Sequence, residues 1–234
     1  GEEKSVVMEG FDQGDRSGLV LPRSQRALME AIVETGTPTV LVLMNGSALA
    51  INYAAENVPA ILEAWYPGEL GGQAIADVLF GDYNPAGRLP LTYYKSVEDL
   101  PAFTSYAMDN RTYKYFAGEP LYAFGHGLSY TSFDYTNMQV VDHGDNWGVT
   151  VEVQNTGDRQ GDEVAQVYAK LPGMPTAPRV KLLAFERLSL DVNETRTLAF
   201  TIDKTQLRFV DEAGQPLTLS GDIELSAGST QPDY

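Results

Sequence analysis

The run Thr39-Val-Leu-Val-Leu-Met44 decides how the first half of the chain is interpreted. A short and nearly unbroken apolar run of this kind is typical of a parallel strand covered on both faces. It follows Arg23–Glu34, where apolar residues recur with helical spacing. Pro22 suits the first turn of that helix and Gly36 its C-terminal end. The stretch therefore predicts a helix followed by a buried parallel strand.

The same alternation continues downstream. A second helix is predicted over Ala48–Glu56, a strand over Ala60–Tyr66, a helix over Gly71–Phe80 and a last strand over Leu89–Tyr93. The order αβαβαβ with short connections predicts a parallel α/β sandwich. A doubly wound sheet normally has about five strands or more. Because this stretch supplies fewer, the remaining strands are expected to precede the first residue of the chain.

The pattern becomes all-β from Phe133 onward. Apolar residues alternate with polar ones at Val149, Val151 and Val153, and turn signals such as Pro172-Gly173 separate the strands. The predicted strands cover residues 133–141, 147–155, 163–171, 180–190, 195–203, 206–210 and 217–226. Short strands at this spacing predict a β-sandwich, and the absence of a Cys…Trp…Cys pattern favours the fibronectin type III-like form over the immunoglobulin form.

Between the two patterns lies a stretch rich in Tyr, Phe, Pro and Gly. So long a segment without periodicity is typical of a functional loop or an inter-domain wrap. Its aromatic side chains are expected to pack between domains. The sequence thus predicts three segments: residues 1–94 as the C-terminal part of an α/β sandwich domain, 95–131 as an aromatic linker, and 132–234 as a fibronectin type III-like domain.

Composition excludes several classes of function. The 234 residues carry 16 basic and 32 acidic side chains, a net charge of −16. Such a surface repels nucleic-acid phosphates, so no nucleic-acid partner is expected. No apolar run is long enough for a membrane span. The chain has no cysteine, which excludes disulfides and thiolate chemistry and leaves the compartment open between periplasm or secretion and cytoplasm. The first residues do not have the pattern of a signal peptide.

Nucleophilic and phosphate-binding motifs are weak. The two histidines, His126 and His143, are interpreted as a loop or interface residue and a solvated turn residue. Ser47 is not in a Gly-x-Ser-x-Gly elbow and is interpreted as a helix cap. The glycines of Gly68-Glu-Leu-Gly71-Gly72 precede a helix, but neither Lys-Ser/Thr nor a second-strand acid follows. Tight packing between strand and helix is the preferred interpretation, and no cofactor is expected.

Carboxylates are the remaining chemistry. Asp158, Asp162 and Glu163 have a spacing that could hold calcium, but a solvated acidic turn is preferred because the ligand density is low. A second cluster lies in the first 15 residues and comprises Glu2, Glu3, Glu9, Asp12 and Asp15. A Glu there could serve as a general acid if its surroundings raise its pKa. The alternative interpretation of the same cluster is a solvated tail at the chain terminus.

Several motifs in order resemble glycoside hydrolase family 3. They are Gly10-Phe-Asp-Gln-Gly-Asp-Arg16 with Leu21-Pro22-x-x-Gln25, Leu43-Met-Asn-Gly-Ser47, Ala60-Ile-Leu-Glu-Ala-Trp-Tyr-Pro-Gly68, Asn84-Pro-Ala-Gly-Arg-Leu-Pro90 and Phe124-Gly-His-Gly-Leu-Ser-Tyr130. In the β half, Asn155-Thr-Gly-Asp158 and Gly161-Asp-Glu-Val-Ala-Gln-Val-Tyr168 match as well. The resemblance covers essentially the whole chain and has the character of bacterial β-glucosidases and β-xylosidases.

The resemblance implies an exo-acting retaining β-glycosidase, with β-glucosidase preferred. Such enzymes place the nucleophilic Asp in an N-terminal barrel, and the α/β sandwich supplies the acid/base Glu. This chain is then the C-terminal portion, its partners being the barrel-containing part and an oligosaccharide or glycoside substrate. A homo-oligomer is left open. The alternatives are a β-xylosidase or α-L-arabinofuranosidase of the same family, and a non-catalytic carbohydrate-binding or scaffold module.

The implied acid/base residue lies shortly before the Asp15-Arg16 motif. Glu2 matches it if the register is shifted by a residue or two, Glu3 is a lesser candidate, and a residue preceding Gly1 is the other alternative. Asp15 and Arg16 are expected to form a buried ion pair that holds this loop. The aromatic stretch Arg111–Phe116 is a candidate wall for an aglycone subsite, against the alternative of interface packing.

Overall fold

The first part of the chain alternates helices and strands around one parallel pair. The computed structural model describes residues 11–12, 15–16, 18–171, 177–211, 213–218 and 222–233. Its first elements are β1 (Phe11–Asp12), β2 (Asp15–Arg16), α1 (Arg23–Glu34), β3 (Val40–Leu43), α2 (Asn52–Asn57), β4 (Ala60–Glu63) and α3 (Gly71–Phe80). β3 and β4 run parallel with Val40 opposite Ala60 and Leu43 opposite Glu63. The predicted alternation of helix and parallel strand is confirmed.

The predicted cap at Ser47 and the predicted strand Leu89–Tyr93 are both wrong. Helix α2 begins at Asn52, and Ser47 therefore does not cap it. The residues before the helix form a loop instead, in which Asn45 Nδ2 donates to the Ser47 carbonyl at 2.7 Å. The predicted strand Leu89–Tyr93 joins no sheet and forms only an isolated antiparallel bridge between Tyr93 and Tyr122. Because Pro90 has no N–H, it cannot contribute to a continuous ladder.

The last part of the chain is an antiparallel β-sandwich. After α4 (Thr112–Tyr115), its strands are β5 (Phe133–Asp142), β6 (Asn146–Asn155), β7 (Gly161–Lys170), β8 (Val180–Leu190), β9 (Thr195–Asp203), β10 (Arg208–Val210), β11 (Pro216–Thr218) and β12 (Glu224–Gly228). One sheet has the order β5-β6-β9, the other β12-β7-β8, and β10 pairs with β11. The predicted all-β region is confirmed, although the predicted strand 217–226 is divided between β11 and β12.

The core of the sandwich consists of the inward-facing residues of both sheets. Val149, Val151 and Val153 alternate along β6 and are buried, as their spacing predicts. Val167 of β7 lies in one buried cluster with Val149, and Leu190 at the end of β8 lies in a second buried cluster with Val151 and Val153. The two sheets therefore enclose a continuous apolar layer, which is the principal source of stability for this part of the chain.

The chain divides into two compact units. The first comprises Gly1–Leu79, Thr92–Tyr106 and Gly118–Tyr122, and the second comprises Phe80–Leu91, Ala107–Ala117 and Ala123–Tyr234. No helix among the described residues has the length and apolarity required to cross a membrane. The predicted domain boundaries near residues 94 and 131 rest on sequence pattern and stay predictions.

Leu190→Ala is expected to lower the free energy of unfolding of the β-sandwich by about 2–5 kcal/mol, because it leaves a cavity among fully buried side chains. Val141→Ala is the matched control, since Val141 is 53% exposed. Both variants are made in a Trp65→Phe background, so that Trp147, the second of two tryptophans, reports on the sandwich during urea unfolding. Equal midpoints for the two variants would contradict the assignment of Leu190 to the core.

Candidate functional site

The carboxyl edge of the β3–β4 pair brings two polar loops together. In open α/β sheets this edge is where ligand sites form. Leu43 and Glu63 are the last residues of their strands, and the Ala64 N–H donates to the Leu43 carbonyl at 2.9 Å, so the two chains leave the sheet side by side. The loop Asn45-Gly46-Ser47 follows β3, and Trp65-Tyr66 follows β4.

The carboxylate of Glu63 joins three parts of this edge. Its Oε2 accepts a hydrogen bond from Tyr93 Oη at 2.7 Å, and its Oε1 accepts one from the Trp65 backbone N–H at 3.1 Å. Tyr93 is almost completely buried. Burial first, and then the hydrogen bond to Glu63, raise the pKa of the Tyr93 phenol, whereas the Asn45 side chain lowers it. Tyr93 therefore remains a protonated donor to Glu63 throughout the physiological range.

Trp65 has an unusual backbone conformation. Its φ is +51°, in the left-handed region that bulky residues avoid. The conformation costs about 1–2 kcal/mol relative to ordinary backbone, and such strain is concentrated at functional sites. The predicted strand Ala60–Tyr66 is consequently wrong beyond Glu63, because the chain turns out of the extended conformation at Trp65.

Gly46 and Tyr66 approach each other closely. A Cβ at position 46 would lie 2.7 Å from Cε2 of the Tyr66 ring. Only glycine therefore lets the ring remain where it is, and yet Tyr66 is 78% exposed. The loop after β3 thus supports a ring whose remaining surface is open to solvent.

The residues predicted for acid/base catalysis lie outside the described part. Glu2, Glu3 and Glu9 belong to the residues that the structure does not describe, so their roles stay predictions. For Asp15 and Arg16 only the backbone is described, where Asp15 pairs with Asp12 and Arg16 with Phe11. The predicted Asp15–Arg16 ion pair therefore also stays a prediction. Downstream of this hairpin, the Leu19 carbonyl accepts a hydrogen bond from the Ala50 N–H at 2.8 Å.

The acidic residues considered for calcium have structural partners. Asp162 forms a salt bridge with Arg187 at 2.6 Å. Glu163 is completely buried and binds Arg88 Nη2 at 2.7 Å and Tyr135 Oη at 2.9 Å, so the interpretation as a solvated turn is wrong for this residue. Burial, and then the charge of Glu163, raise the pKa of Tyr135. Among the described residues, no group of three His, Cys, Asp or Glu side chains could hold a metal ion.

The remaining sequence candidates also pack structurally. Gly71 begins α3, and a Cβ there would lie 2.4 Å from the Pro67 ring, which fits the tight strand-to-helix packing preferred from sequence. Tyr113 stacks on Phe124 with ring centroids 4.1 Å apart, and Phe116 is buried. The Arg111–Phe116 stretch therefore packs within the second unit and does not present these two rings as an aglycone wall.

The carboxyl edge of β3 and β4, a candidate site that the sequence analysis did not single out, had a visible signal. Glu63 is a charged residue at the end of an apolar run, followed by Pro67 and Gly68. An acid at the carboxyl end of a parallel strand is a candidate for a site, because its side chain reaches the edge where the loops converge.

Comparison with known proteins identifies the family. The model of the "Glycosyl hydrolase family 3 C-terminal domain" matches residues 1–130. The chain belongs to glycosyl hydrolase family 3. A "Fibronectin type III-like domain" model matches residues 163–231 of this family 3 chain, in agreement with the β-sandwich. The resemblance and the fold class inferred from sequence are both confirmed.

The proteins that the chain resembles are longer than the chain itself. A xylan 1,4-beta-xylosidase from Xylanibacter ruminicola is 40% identical, with 100% of this chain and 27% of the relative covered. A periplasmic beta-glucosidase from Salmonella typhimurium is 39% identical, with 87% of this chain and 30% of the relative covered. The structure of a beta-D-glucoside glucohydrolase from Trichoderma reesei matches 97% of this chain and 37% of its own, with a TM-score of 0.85 and 28% identity. The chain thus spans about a third of the length of these proteins.

Glu163→Gln is expected to destabilise the β-sandwich by about 3–5 kcal/mol, because it leaves the Arg88 charge buried without a counter-charge. Asp142→Asn removes an ion pair of the same 2.7 Å length, with Lys204, but one whose carboxylate is solvated. Its effect should be much smaller. Urea midpoints measured by Trp147 fluorescence compare the two variants. If Asp142→Asn loses as much stability as Glu163→Gln, burial of the ion pair does not determine the cost of removing its carboxylate.

The two histidines provide a pH test. Burial, and then the nearby Arg88 charge, lower the pKa of His126 below its usual 6.5. On acidification the unfolded chain binds this proton first, so stability should fall as pH drops from about 6.5 towards the lower folded pKa. His126→Gln should therefore reduce the dependence of the urea midpoint on pH between about pH 7.5 and 5.5. His143→Gln, at an exposed position, should not. If the urea midpoint of His126→Gln changes with pH as steeply as that of the unmodified chain, the lowered pKa of His126 is refuted.

Proposed function

We propose that this chain is the C-terminal portion of an exo-acting retaining β-glycosidase that removes terminal non-reducing β-D-glycosyl residues from oligosaccharides. The observation that carries the proposal is the family 3 match over residues 1–130, together with relatives named as β-glucosidase and β-xylosidase. β-Glucosidase is the preferred activity. The barrel-containing part that supplies the nucleophilic Asp is the partner of this chain.

In the proposed reaction Glu2 acts first as acid and then as base. As the glycosidic bond breaks, Glu2 donates its proton to the departing oxygen, and the nucleophilic Asp forms a bond to the anomeric carbon. Glu2 then takes a proton from the water that attacks the same carbon, and the Asp carboxylate is released. Retention requires the two carboxyl groups to lie about 5–5.5 Å apart. Glu3 is the lesser candidate for this role.

The three predicted segments of the chain are assigned different roles. Residues 1–94 form the part of the α/β domain that borders the active site, residues 95–131 link the domains, and residues 132–234 brace the assembly. The bond between the Leu19 carbonyl and Ala50 supports this assignment, because it ties the segment that follows the Asp15-Arg16 motif to the loop after β3.

An assay with and without the barrel part separates the alternatives. Aryl β-glucosides and β-xylosides should be hydrolysed only when this chain is combined with the barrel part, and the faster of the two identifies the sugar preference. An aryl α-L-arabinofuranoside tests the remaining activity of the family. Sugar binding without turnover in either mixture would instead support a non-catalytic carbohydrate-binding module and refute the proposal.

In the active assembly, Glu2→Ala is expected to lower kcat for an alkyl glycoside or a disaccharide by about 10²–10⁴-fold, because the poor leaving group loses general acid assistance. Azide should restore turnover of an activated aryl glycoside by replacing the water that needs a base. Glu3→Ala is the neighbouring control and should stay close to the unmodified enzyme. If Glu3→Ala alone shows the loss and the azide rescue, the role moves to Glu3. If neither variant does, both residues are excluded.

A further inference from the structure

The proposed reaction assigns no role to the Glu63 cluster, which comprises Glu63, Trp65, Tyr66 and Tyr93 at the carboxyl edge of β3 and β4. We propose that Glu63 is a positioning residue whose carboxylate holds the Trp65-Tyr66 step, so that the Tyr66 ring forms a stacking surface for the sugar of the leaving group. The inference rests on the proposed glycosidase function and assigns it a leaving-group subsite in this chain.

The carboxylate is suited to holding the step because each oxygen receives a different donor. Tyr93 Oη binds Oε2 at 2.7 Å and the Trp65 N–H binds Oε1 at 3.1 Å. The first donor is buried and the second belongs to the residue with the left-handed backbone. In Glu63→Leu the side chain keeps a similar size but has no oxygen, so the Trp65 N–H and the Tyr93 hydroxyl both lose their acceptor. Glutamine is the weaker test, because its oxygen can still accept from Trp65 while its NH₂ donates to the Tyr93 hydroxyl, which also accepts hydrogen bonds.

The Tyr66 ring has the properties of a sugar-stacking surface. It lies against Gly46, where the missing Cβ leaves room for Cε2, while 78% of the residue is exposed. A ring that is supported by backbone and open to solvent is pre-organised to stack without first losing rotamer freedom. Its flat apolar body fits the C–H face of a pyranose, and its hydroxyl remains available at the edge.

The leaving-group side is the site that this edge fits. Under the proposed function the nucleophile, and with it the pocket for the non-reducing sugar, belongs to the barrel part. The acid/base residue of this chain faces the departing oxygen, so surfaces of the same chain lie on the side of the leaving group. Glu63 touches no reacting atom in this arrangement and acts only through the loop.

Spectroscopy of the 234-residue chain tests the positioning role. Trp147→Phe leaves Trp65 as the single tryptophan. In this background Glu63→Leu should shift the Trp65 emission to longer wavelength and increase its quenching by acrylamide. Glu69→Leu, at an exposed position four residues from Trp65 in the same loop, should change neither. An unchanged Trp65 spectrum in Glu63→Leu overturns the claim that Glu63 holds the step.

Kinetics of the assembled enzyme tests the subsite. Tyr66→Ala should lower kcat/KM for a β-linked disaccharide about 3- to 10-fold, the range expected for one aromatic contact, and leave that for the corresponding glycosyl fluoride unchanged. The fluoride has the same non-reducing sugar but no ring in its leaving group. Tyr66→Phe, which keeps the ring, should restore the disaccharide value, and Glu63→Leu should resemble Tyr66→Ala.

Equal effects of Tyr66→Ala on both substrates, or no effect on either, overturn the subsite while the glycosidase function stands. Tyr66 is exposed, so Tyr66→Ala remains informative even if Glu63→Leu does not fold. An unmodified assembly that hydrolyses neither the disaccharide nor the fluoride refutes the proposed function, and the subsite is refuted with it.

Discussion

The ion pair between Arg88 and Glu163 is the constraint that fixes the chain segment before the β-sandwich to the core of the second unit. Its two charges are almost completely removed from water, and Tyr135 supplies the remaining hydrogen bond. A buried pair is not in itself a strong source of stability, but each partner is costly to leave alone. The extended segment that carries Arg88 is thereby fixed to the strand that carries Glu163. The same segment also donates its Leu89 N–H to the His126 carbonyl.

Much of the fold could be predicted because the relevant signals are local. Helices α1 and α3 have the predicted bounds, since Pro22 and Gly36 mark the ends of the first and Gly71 and Gly81 those of the second. The strands of the sandwich follow from alternation, which is a direct consequence of one buried and one exposed face. The same alternation predicts that Glu163 is buried, because it lies two and four residues before Ala165 and Val167 on the same face of β7, and both of these are buried.

The remaining errors arose where tertiary contacts override local preference. Leu89–Tyr93 has the composition of a strand, but its partners come from residues about thirty positions away rather than from the sheet. Trp65 is an aromatic residue in a position that normally selects glycine, so no pattern could reveal its left-handed backbone. The candidate site could be predicted in part: the family resemblance points to the start of the chain, whereas the Glu63 cluster emerges only when the two strand ends are side by side.

The close approach of Gly46 to Tyr66 has a consequence for sequence variation within the family. A side chain at position 46 and a large ring at position 66 compete for the same volume. Because the Tyr66 ring is largely exposed, a relative with alanine or serine at position 46 can keep a tyrosine at position 66 by turning its ring to another orientation. A residue in one loop, some twenty positions away in the chain, would then determine the direction of an aromatic ring in another.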